Sequence, residues 1–161
     1  MTTPERTRLA SERPHILIVT SDEGLRTFLA EGLLYGGFWT SSVASGMQAL
    51  EVFRLRTFDA VLLDLDVQGF GGLEIARRLR GTARSAFART EPSGLTDVPI
   101  VAITQDAQPG IRELVDEIGI DDLLSPPIEI SDLVPYLFNV VDEWRQAHPG
   151  RLFADQASRE M

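Results

Sequence analysis

The chain has no cysteine and no lysine, and each absence removes a class of chemistry. Without cysteine there is no disulfide, no thiolate nucleophile and no cysteine-ligated metal centre. All fifteen basic residues are arginine, which excludes a Walker-type phosphate lysine, a Schiff base and a lysine general base. The two histidines, His15 and His148, are too few to build a histidine metal site.

Positive charge and long apolar runs are also scarce. The net charge is -9, with 24 acidic and 15 basic residues, whereas direct binding to nucleic acid requires a basic surface. We therefore expect protein partners and no direct nucleic-acid binding. No apolar run approaches the roughly 20 residues that span a bilayer, and residues 1–13 lack the apolar centre of a signal peptide. We expect no membrane insertion and a cytoplasmic location.

The length and composition predict one domain with a tail at either end. A chain of 161 residues with 43% hydrophobic residues has the size and the mix of a single compact core. We expect a flexible leader over residues 1–13, a domain over 14–147 and a polar tail over 148–161. Within the domain, residues 81–97 lack a sustained period and contain a proline and two glycines, which predicts a long surface loop.

Short apolar runs alternate with helical patterns along the domain. The runs have no polar alternation, which is typical of strands that are buried on both faces of a parallel sheet. Strands are predicted at 15–20, 38–43, 58–65, 98–104 and 123–124. Because a helical pattern follows each strand, the sequence predicts an α/β fold with five parallel strands and five helices, doubly wound.

Two helix starts carry specific expectations. Ser45 and Gln48 form a capping-box pattern, which predicts the beginning of the second helix. Ser131 is predicted to be the N-cap of the last helix, with Pro135 near its first turn.

Polar side chains follow the strands at their carboxyl ends, where open parallel sheets bind ligands. Asp22 follows the first strand, Asp64 and Asp66 follow the third, and Thr104 ends the fourth. Position alone leaves three interpretations open for the carboxylates after the third strand: a helix cap, a solvated turn or a functional site.

Residues 58–74, which read FDAVLLDLDVQGFGGLE, resemble the third strand and following loop of the response-regulator receiver family, which has a flavodoxin-like fold. The similarity continues at residues 98–104 and 119–127. It implies a role in two-component phosphorelay signalling. In that family Asp64 would accept a phosphoryl group from a histidine kinase, and Thr104 would hydrogen-bond the phosphoryl oxygens.

The sequence departs from the family pattern at the metal site. Receivers close the first strand with two acidic residues that hold Mg²⁺, and Thr20 and Ser21 stand in their place. Asp22 comes one residue later. Losing these ligands raises the barrier to phosphotransfer, because the metal neutralises charge between an aspartate and a negative phosphoryl donor.

Further departures affect the phosphorylated state and its readout. Pro126 occupies the position of the family's lysine, which reaches the phosphorylated aspartate. Leu123 replaces an aromatic switch residue, and Gln68 replaces a proline after the phosphoacceptor loop.

These observations favour a single-domain, atypical receiver-like protein that is not an enzyme and acts by protein–protein interaction. The alternative is a working phosphoacceptor, in which Asp64, Asp66 and Asp22 hold a weak Mg²⁺ ion. A third hypothesis is a flavodoxin-like cofactor binder. Asp22 and Glu23 speak against it, since a phosphate at a helix N-terminus needs free N–H groups and no negative neighbours.

The expected partners are a histidine kinase or a downstream target protein. By resemblance, the face made by the fourth helix, fifth strand and fifth helix would form a homodimer. Exposed apolar side chains at Ile111, Tyr136 or Trp144 would support this interface.

Structural interpretations compete with the functional ones. Asp64 could serve a stable hydrogen-bonded cluster beside Thr104. His15 is expected to be structural or exposed, and the Asp121–Asp122 pair to be a solvated loop and cap. A group of arginines suggests a solvated helix face or, more specifically, an acidic partner: Arg77, Arg78, Arg80, Arg84 and Arg89.

Overall fold

The computed structural model describes residues 13–67, 71–81, 96–150 and Ala154. Strands and helices alternate in the predicted order. The strands are β1 (His15–Val19), β2 (Trp39–Val43), β3 (Ala60–Asp64), β4 (Ile100–Ile103) and β5 (Asp122–Leu124). The helices are α1 (Glu23–Gly36), α2 (Gly46–Leu55), α3 (Gly72–Arg80), α4 (Ile111–Ile118) and α5 (Ile130–Ala147).

The strands form one five-stranded parallel sheet in the order β2-β1-β3-β4-β5. In this register Val19 lies beside Leu63, and Asp64 lies beside Ile103. The residues that follow β1 and β4 therefore flank the end of β3. This order brings Thr20, Asp64 and Thr104 to one edge of the sheet.

Both faces of the sheet are covered by helices, which confirms the predicted doubly wound fold. Helices α1 and α5 cover one face, with Leu29 and Leu137 in its core. Helices α2, α3 and α4 cover the other face, with Phe53, Ile75 and Val115 in its core. Burial of apolar area on both faces explains why the central strands are continuous apolar runs.

Helices α1 and α5 approach each other closely through two glycines. A Cβ atom on Gly32 would lie 2.4 Å from Cδ1 of Ile130, and one on Gly36 would lie 2.4 Å from Cγ2 of Val134. Larger side chains at these two positions would push the helices apart. The contact also fixes where the chain enters α5, directly after the carboxyl edge of the sheet.

The predicted capping box is confirmed and the predicted start of α5 is wrong. Ser45 Oγ accepts from the Gln48 N–H at 3.3 Å, and Gln48 Oε1 accepts from the N–H of Ala44 at 2.9 Å. Helix α5 begins at Ile130 with Glu129 as its N-cap, two residues before the predicted N-cap Ser131, and Pro135 lies inside the helix. The contact of Ile130 with the Gly32 surface stabilises this earlier start.

The opposite edge of the sheet is organised around Asp59. Its carboxylate accepts from the backbone N–H of His15 at 2.7 Å and from that of Ala154 at 3.0 Å. The Nδ1 atom of His15 lies 2.8 Å from Arg56, and Nε2 lies 2.7 Å from Ser41 Oγ. Because a guanidinium only donates, Nδ1 accepts and the neutral ring carries its proton on Nε2. His15 is therefore structural.

Several expectations fall on residues outside the described part of the chain. These are the leader up to residue 12, Gln68, most of the 81–97 loop (residues 82–95, with Arg84 and Arg89), and residues 151–153 and 155–161 of the tail. Within the tail, Ala154 is buried. In the described residues, none of the helices combines the length and the apolar character needed to cross a bilayer.

Candidate functional site

Asp64 is the last residue of β3, and its side chain is 8% exposed. Both carboxylate oxygens accept hydrogen bonds. Oδ2 accepts from the hydroxyl of Thr20 at 2.6 Å, and Oδ1 accepts from the backbone N–H of Asp66 at 2.8 Å. Such charge-assisted bonds hold the carboxylate in one orientation.

Thr20 connects the site to the start of α1. Its hydroxyl oxygen accepts from the backbone N–H of Asp22 at 3.1 Å, so the hydroxyl proton is directed to Asp64. Arg26 donates from Nη1 to the carbonyl oxygen of Thr20 at 3.0 Å. Thr20 is buried, so the residue at the expected metal-ligand position is a neutral donor that is hydrogen-bonded on both sides.

Thr104 lies at the same edge but is hydrogen-bonded within its own turn. Its hydroxyl donates to the carbonyl oxygen of Asp106 at 3.2 Å and accepts from the N–H of Asp106 at 3.3 Å. Its backbone N–H donates to Leu124 at 3.0 Å. The hydroxyl that bonds Asp64 is thus Thr20, and the expected cluster of Asp64 with Thr104 is replaced by one with Thr20.

The carboxylates of Asp22 and Asp66 do not turn toward Asp64, as the predicted metal site would require. Asp22 is the N-cap of α1, and its Oδ1 accepts from the N–H of Leu25 at 3.0 Å. Asp66 is exposed and contributes its backbone N–H, rather than its carboxylate, to the Asp64 cluster. The N-terminus of α1 also carries Glu23 in its first turn. That end therefore presents carboxylates where a flavin phosphate would need free donors.

The described residues do not fit a magnesium site. Mg²⁺ requires several oxygen ligands in near-octahedral geometry. No group of three aspartate, glutamate, histidine or cysteine side chains in the described ranges could hold a metal ion. The Thr20 hydroxyl is turned to Asp64, and the Asp22 carboxylate is turned to α1.

The two ends of the loop after β3 come close together beside Asp64. Gly72 begins α3, and a Cβ atom there would lie 2.5 Å from Cα of Leu65 and 2.9 Å from the carbonyl oxygen of Asp64. Only glycine permits this approach of two backbones. The same loop closes with a hydrogen bond of 3.2 Å from the N–H of Val67 to the Asp64 carbonyl.

The end of β5 supplies no cation to the site. Leu123 is buried against the face covered by α4, and Ser125 is exposed. The peptide bond between Pro126 and Pro127 is cis. Pro126 occupies the position at which the resemblance predicts a lysine.

The chain matches a known family over most of this structure. A family model described as the response regulator receiver domain matches residues 16–138. The chain belongs to this family. The predicted resemblance is confirmed, and it places this receiver domain in two-component signalling, where receivers contact proteins such as kinases and targets.

Curated relatives of this receiver domain include two longer proteins. The response regulator MprA of Mycobacterium tuberculosis is 30% identical over 121 residues, which are 74% of this chain and 46% of MprA. The uncharacterized transcriptional regulatory protein YkoG of Bacillus subtilis is 30% identical over 125 residues, 76% of this chain and 49% of YkoG. The chain therefore spans about half the length of these relatives.

Solved structures share the fold of this receiver domain. A CheY-like receiver domain protein from Methanospirillum hungatei superposes with a TM-score of 0.69 at 18% identity, covering 84% of this chain and 98% of that chain. A sensor protein from Polaromonas superposes with a TM-score of 0.66 at 30% identity, covering 81% and 98%. The receiver domain of a sensor histidine kinase from Pseudomonas aeruginosa has a magnesium ion in its active site cleft; it is 26% identical, with a TM-score of 0.66 and the same coverages.

The other polar groups singled out in the sequence hold elements together. Arg80 donates to Gly119 at 2.9 Å, to Thr96 at 3.2 Å and to Asp121 at 2.8 Å. Burial lowers the pKa of the Arg80 guanidinium, and the charge of Asp121 opposes this shift. Arg80 therefore connects α3 to the segments around Thr96 and Gly119, and it is not part of a solvated helix face.

The two carboxylates of the Asp121–Asp122 pair point to different structural partners. Besides Arg80, Asp121 accepts from the N–H of Ile100 at 2.8 Å. Asp122 accepts from the hydroxyl of Tyr136 and from the N–H of Leu123. This pair therefore ties β5 to its surroundings, where the sequence predicted a solvated loop and cap.

The sequence did not identify Thr20 as the partner of Asp64. The signal that could have done so is positional, because Thr20 directly follows β1 and Asp64 ends β3, and polar residues at the carboxyl ends of parallel strands gather at one end of the sheet.

Proposed function

We propose that this chain is an atypical receiver domain, not an enzyme, which acts by protein–protein interaction without phosphoryl transfer to Asp64. The observation that carries the proposal is the 2.6 Å hydrogen bond from Thr20 to Oδ2 of Asp64. A neutral hydroxyl therefore satisfies this oxygen.

Charge is the physical obstacle to phosphorylation. An aspartate that attacks a phosphoryl donor brings two negative groups together, and receivers counter this with Mg²⁺ and lysine. The chain contains no lysine, and the described residues around Asp64 do not include three acidic or histidine side chains that could hold a metal ion. Losing one preorganised contact to a developing oxyanion costs about 3 kcal/mol in comparable sites.

The alternative is a working phosphoacceptor that is phosphorylated on Asp64 by a histidine kinase. Two observations favour it. Asp64 lies at the carboxyl end of β3, and Thr104 directly follows the adjacent strand β4. Asp64 is also oriented by the N–H of Asp66. In this alternative, Thr20 would release Oδ2 before the reaction.

Intact-protein mass spectrometry separates the two functions. The wild type and Asp64→Asn are incubated with acetyl phosphate and Mg²⁺, beside an ordinary receiver that is labelled under the same conditions. We expect no phosphoryl adduct on either form of this chain. An adduct on the wild type alone would overturn the proposal and establish the phosphoacceptor.

The location, the partners and the self-association of the protein are predictions. We propose a cytoplasmic protein whose partners are a histidine kinase or a downstream target. The length and composition predict a single domain, and the resemblance predicts self-association through the face of α4, β5 and α5. Sedimentation of the purified protein tests the self-association.

A further inference from the structure

A surface cavity of about 340 Å³ lies between the end of β5 and the beginning of α5. It is separate from the Asp64 cluster. Its lining comes from one continuous stretch of chain, which turns from the edge strand into the helix. The lining residues are Leu124, Ser125, Pro127, Ile128, Glu129, Asp132, Leu133 and Tyr136.

The floor of this cavity is apolar. Leu133 is buried, and Leu124 and Ile128 are partly buried against the core that α1 and α5 share. The hydroxyl of Tyr136 donates to Asp122. Tyr136 therefore has its polar group already satisfied, and its ring can contribute to the apolar lining.

The charged groups of the cavity lining are carboxylates. Glu129 and Asp132 are both exposed. Neither side chain forms an ion pair with another residue of the described ranges. An incoming cation would therefore meet two free acceptors above an apolar surface.

The segment that supplies the cavity lining is acidic, which favours a positively charged ligand. Residues 111–136 contain seven carboxylates and one arginine, a net charge of -6 out of the -9 of the whole chain. A second copy seated on the cavity would bring Glu129 and Asp132 of the lining against carboxylates of the same kind, and like charges across an interface are unfavourable. Ile111, Tyr136 and Trp144, expected to be the exposed apolar contacts of a dimer, are each half-buried.

We propose that this cavity is a docking site for a basic segment of a partner protein. One arginine or lysine of the segment would lay its aliphatic stem on the apolar floor and bring its cation to Glu129 and Asp132. The cavity is at the small end of the roughly 300–1,000 Å³ range of ligand sites. It therefore suits one long side chain. The inference rests on the proposed function, in that the partner is a protein, but it does not involve Asp64.

Selection from a random dodecapeptide library on the wild-type protein tests the chemistry of the site. We expect the selected peptides to be enriched in arginine or lysine next to leucine or isoleucine. A selected peptide, synthesised with a fluorescent label, should bind the Glu129→Gln/Asp132→Asn variant on the order of tenfold more weakly in an anisotropy titration. Added salt should weaken binding to the wild type.

The matched control is Glu23→Gln/Glu31→Gln, which removes the same charge from exposed positions of α1. It should bind the peptide like the wild type. Peptides without basic enrichment, or equal binding to the Glu129→Gln/Asp132→Asn variant, would overturn the docking site. A wild-type dimer at micromolar concentration that Glu129→Gln/Asp132→Asn tightens would also overturn it, because a second copy would then occupy the face.

The same titration distinguishes a failure of this site from a failure of the proposed function. It is repeated after treatment with acetyl phosphate and Mg²⁺. If treatment changes peptide affinity in the wild type and not in Asp64→Asn, the phosphorylation-independent function is wrong. The docking site is tested separately, by peptide binding to the Glu129→Gln/Asp132→Asn variant.

Discussion

The hydroxyl of Thr20 joins three parts of the chain at the carboxyl edge of the sheet. It donates to Asp64 at the end of β3, accepts from Asp22 at the start of α1, and extends from the residue that follows β1. A buried carboxylate requires such a donor, because leaving a buried charged acceptor unsatisfied is costly. Thr20 thus stabilises the native state at the position where receivers hold a metal.

Removing this hydroxyl should destabilise the protein measurably. Thr20→Val keeps the shape of the side chain and leaves Oδ2 of Asp64 without its donor, so we expect a loss of about 1–3 kcal/mol in the free energy of unfolding. Urea denaturation measures it. Thr20→Ser should retain most of the stability, and Thr27→Val, at an exposed position of α1, is the control. A Thr20→Val protein as stable as Thr27→Val would contradict this role.

The hydrogen bond between Tyr136 and Asp122 links stability to alkaline pH. Burial raises the pKa of Tyr136 above its ordinary value, and the hydrogen bond and charge of Asp122 raise it further. The folded state therefore keeps the phenol proton at a pH where the unfolded chain releases it. The resulting stabilisation is complete below the ordinary tyrosine pKa of about 10 and is lost as the pH rises above it.

Tyr136→Phe should flatten this alkaline loss of stability. We expect the free energy of unfolding of the wild type to fall more steeply between pH 9 and pH 11 than that of Tyr136→Phe, because phenylalanine has no proton to release. Guanidinium denaturation at a series of pH values measures both slopes. Tyr35→Phe, at an almost fully exposed position, is the control and should behave like the wild type. Equal slopes for wild type and Tyr136→Phe would refute the linkage.

At the scale of elements, the contact between α1 and α5 depends on small residues. Alanine usually stabilises a helix by about 0.5–1 kcal/mol relative to glycine. At Gly36, however, the added methyl group would lie 2.4 Å from Cγ2 of Val134, and overpacking of this kind costs about 1–3 kcal/mol. Packing should therefore outweigh helix propensity.

A double-mutant cycle tests this balance. Gly36→Ala should destabilise the wild type by about 1 kcal/mol and should be neutral or stabilising in a Val134→Ala background, where the Cγ atoms are absent. The free energies of unfolding of the four proteins give the coupling. The same effect of Gly36→Ala in both backgrounds would show that the helices do not meet as described.

The sequence predicted the order and type of the elements well because apolar spacing and helix-ending glycines are local signals. It failed where a contact between elements decides the outcome. Helix α5 begins at Ile130 because this side chain meets Gly32 of α1, which no local pattern around Ser131 reveals.

The candidate site was predicted in part for the same reason. Strand ends placed Asp64 and Thr104 at one edge, and the structure confirms that placement. The donor to Asp64 depends on the side-by-side order of β1 and β3 and on the rotamer of Thr20. The cavity beside β5 could not be predicted, since it depends on how the chain turns from β5 into α5 and not on a local sequence pattern.

At the scale of the whole molecule, negative charge is unevenly distributed. Most of the net charge lies in residues 111–136, and an excess of like charges in the folded state is repulsive. Salt screens this repulsion, with a Debye length of about 10 Å at 0.1 M. Folding should therefore become more favourable as salt is added.

Thermal unfolding at increasing sodium chloride tests this expectation. The Tm should rise between about 0.01 and 0.3 M salt. The variant Glu113→Gln/Asp116→Asn removes two charges from the acidic segment 111–136, and Glu23→Gln/Glu31→Gln removes two charges from α1. The rise in Tm should be smaller in the first variant than in the second. A Tm that does not respond to salt, or an equal response in both variants, would show that the clustered charge does not repel appreciably.

Asp59 binds the backbone N–H groups of both His15 and Ala154, so the two ends of the described chain meet at one carboxylate. A covalent connection between them would need little extra peptide, which makes the fold a good scaffold for circular permutation. New termini opened at Gly110, which is exposed and has nothing within 4 Å of its added Cβ position, would leave from the loop that follows Thr104. A fluorophore attached there would lie near the end of the sheet that holds Asp64, whereas one attached at Ala154 would lie at the opposite end, beside Asp59.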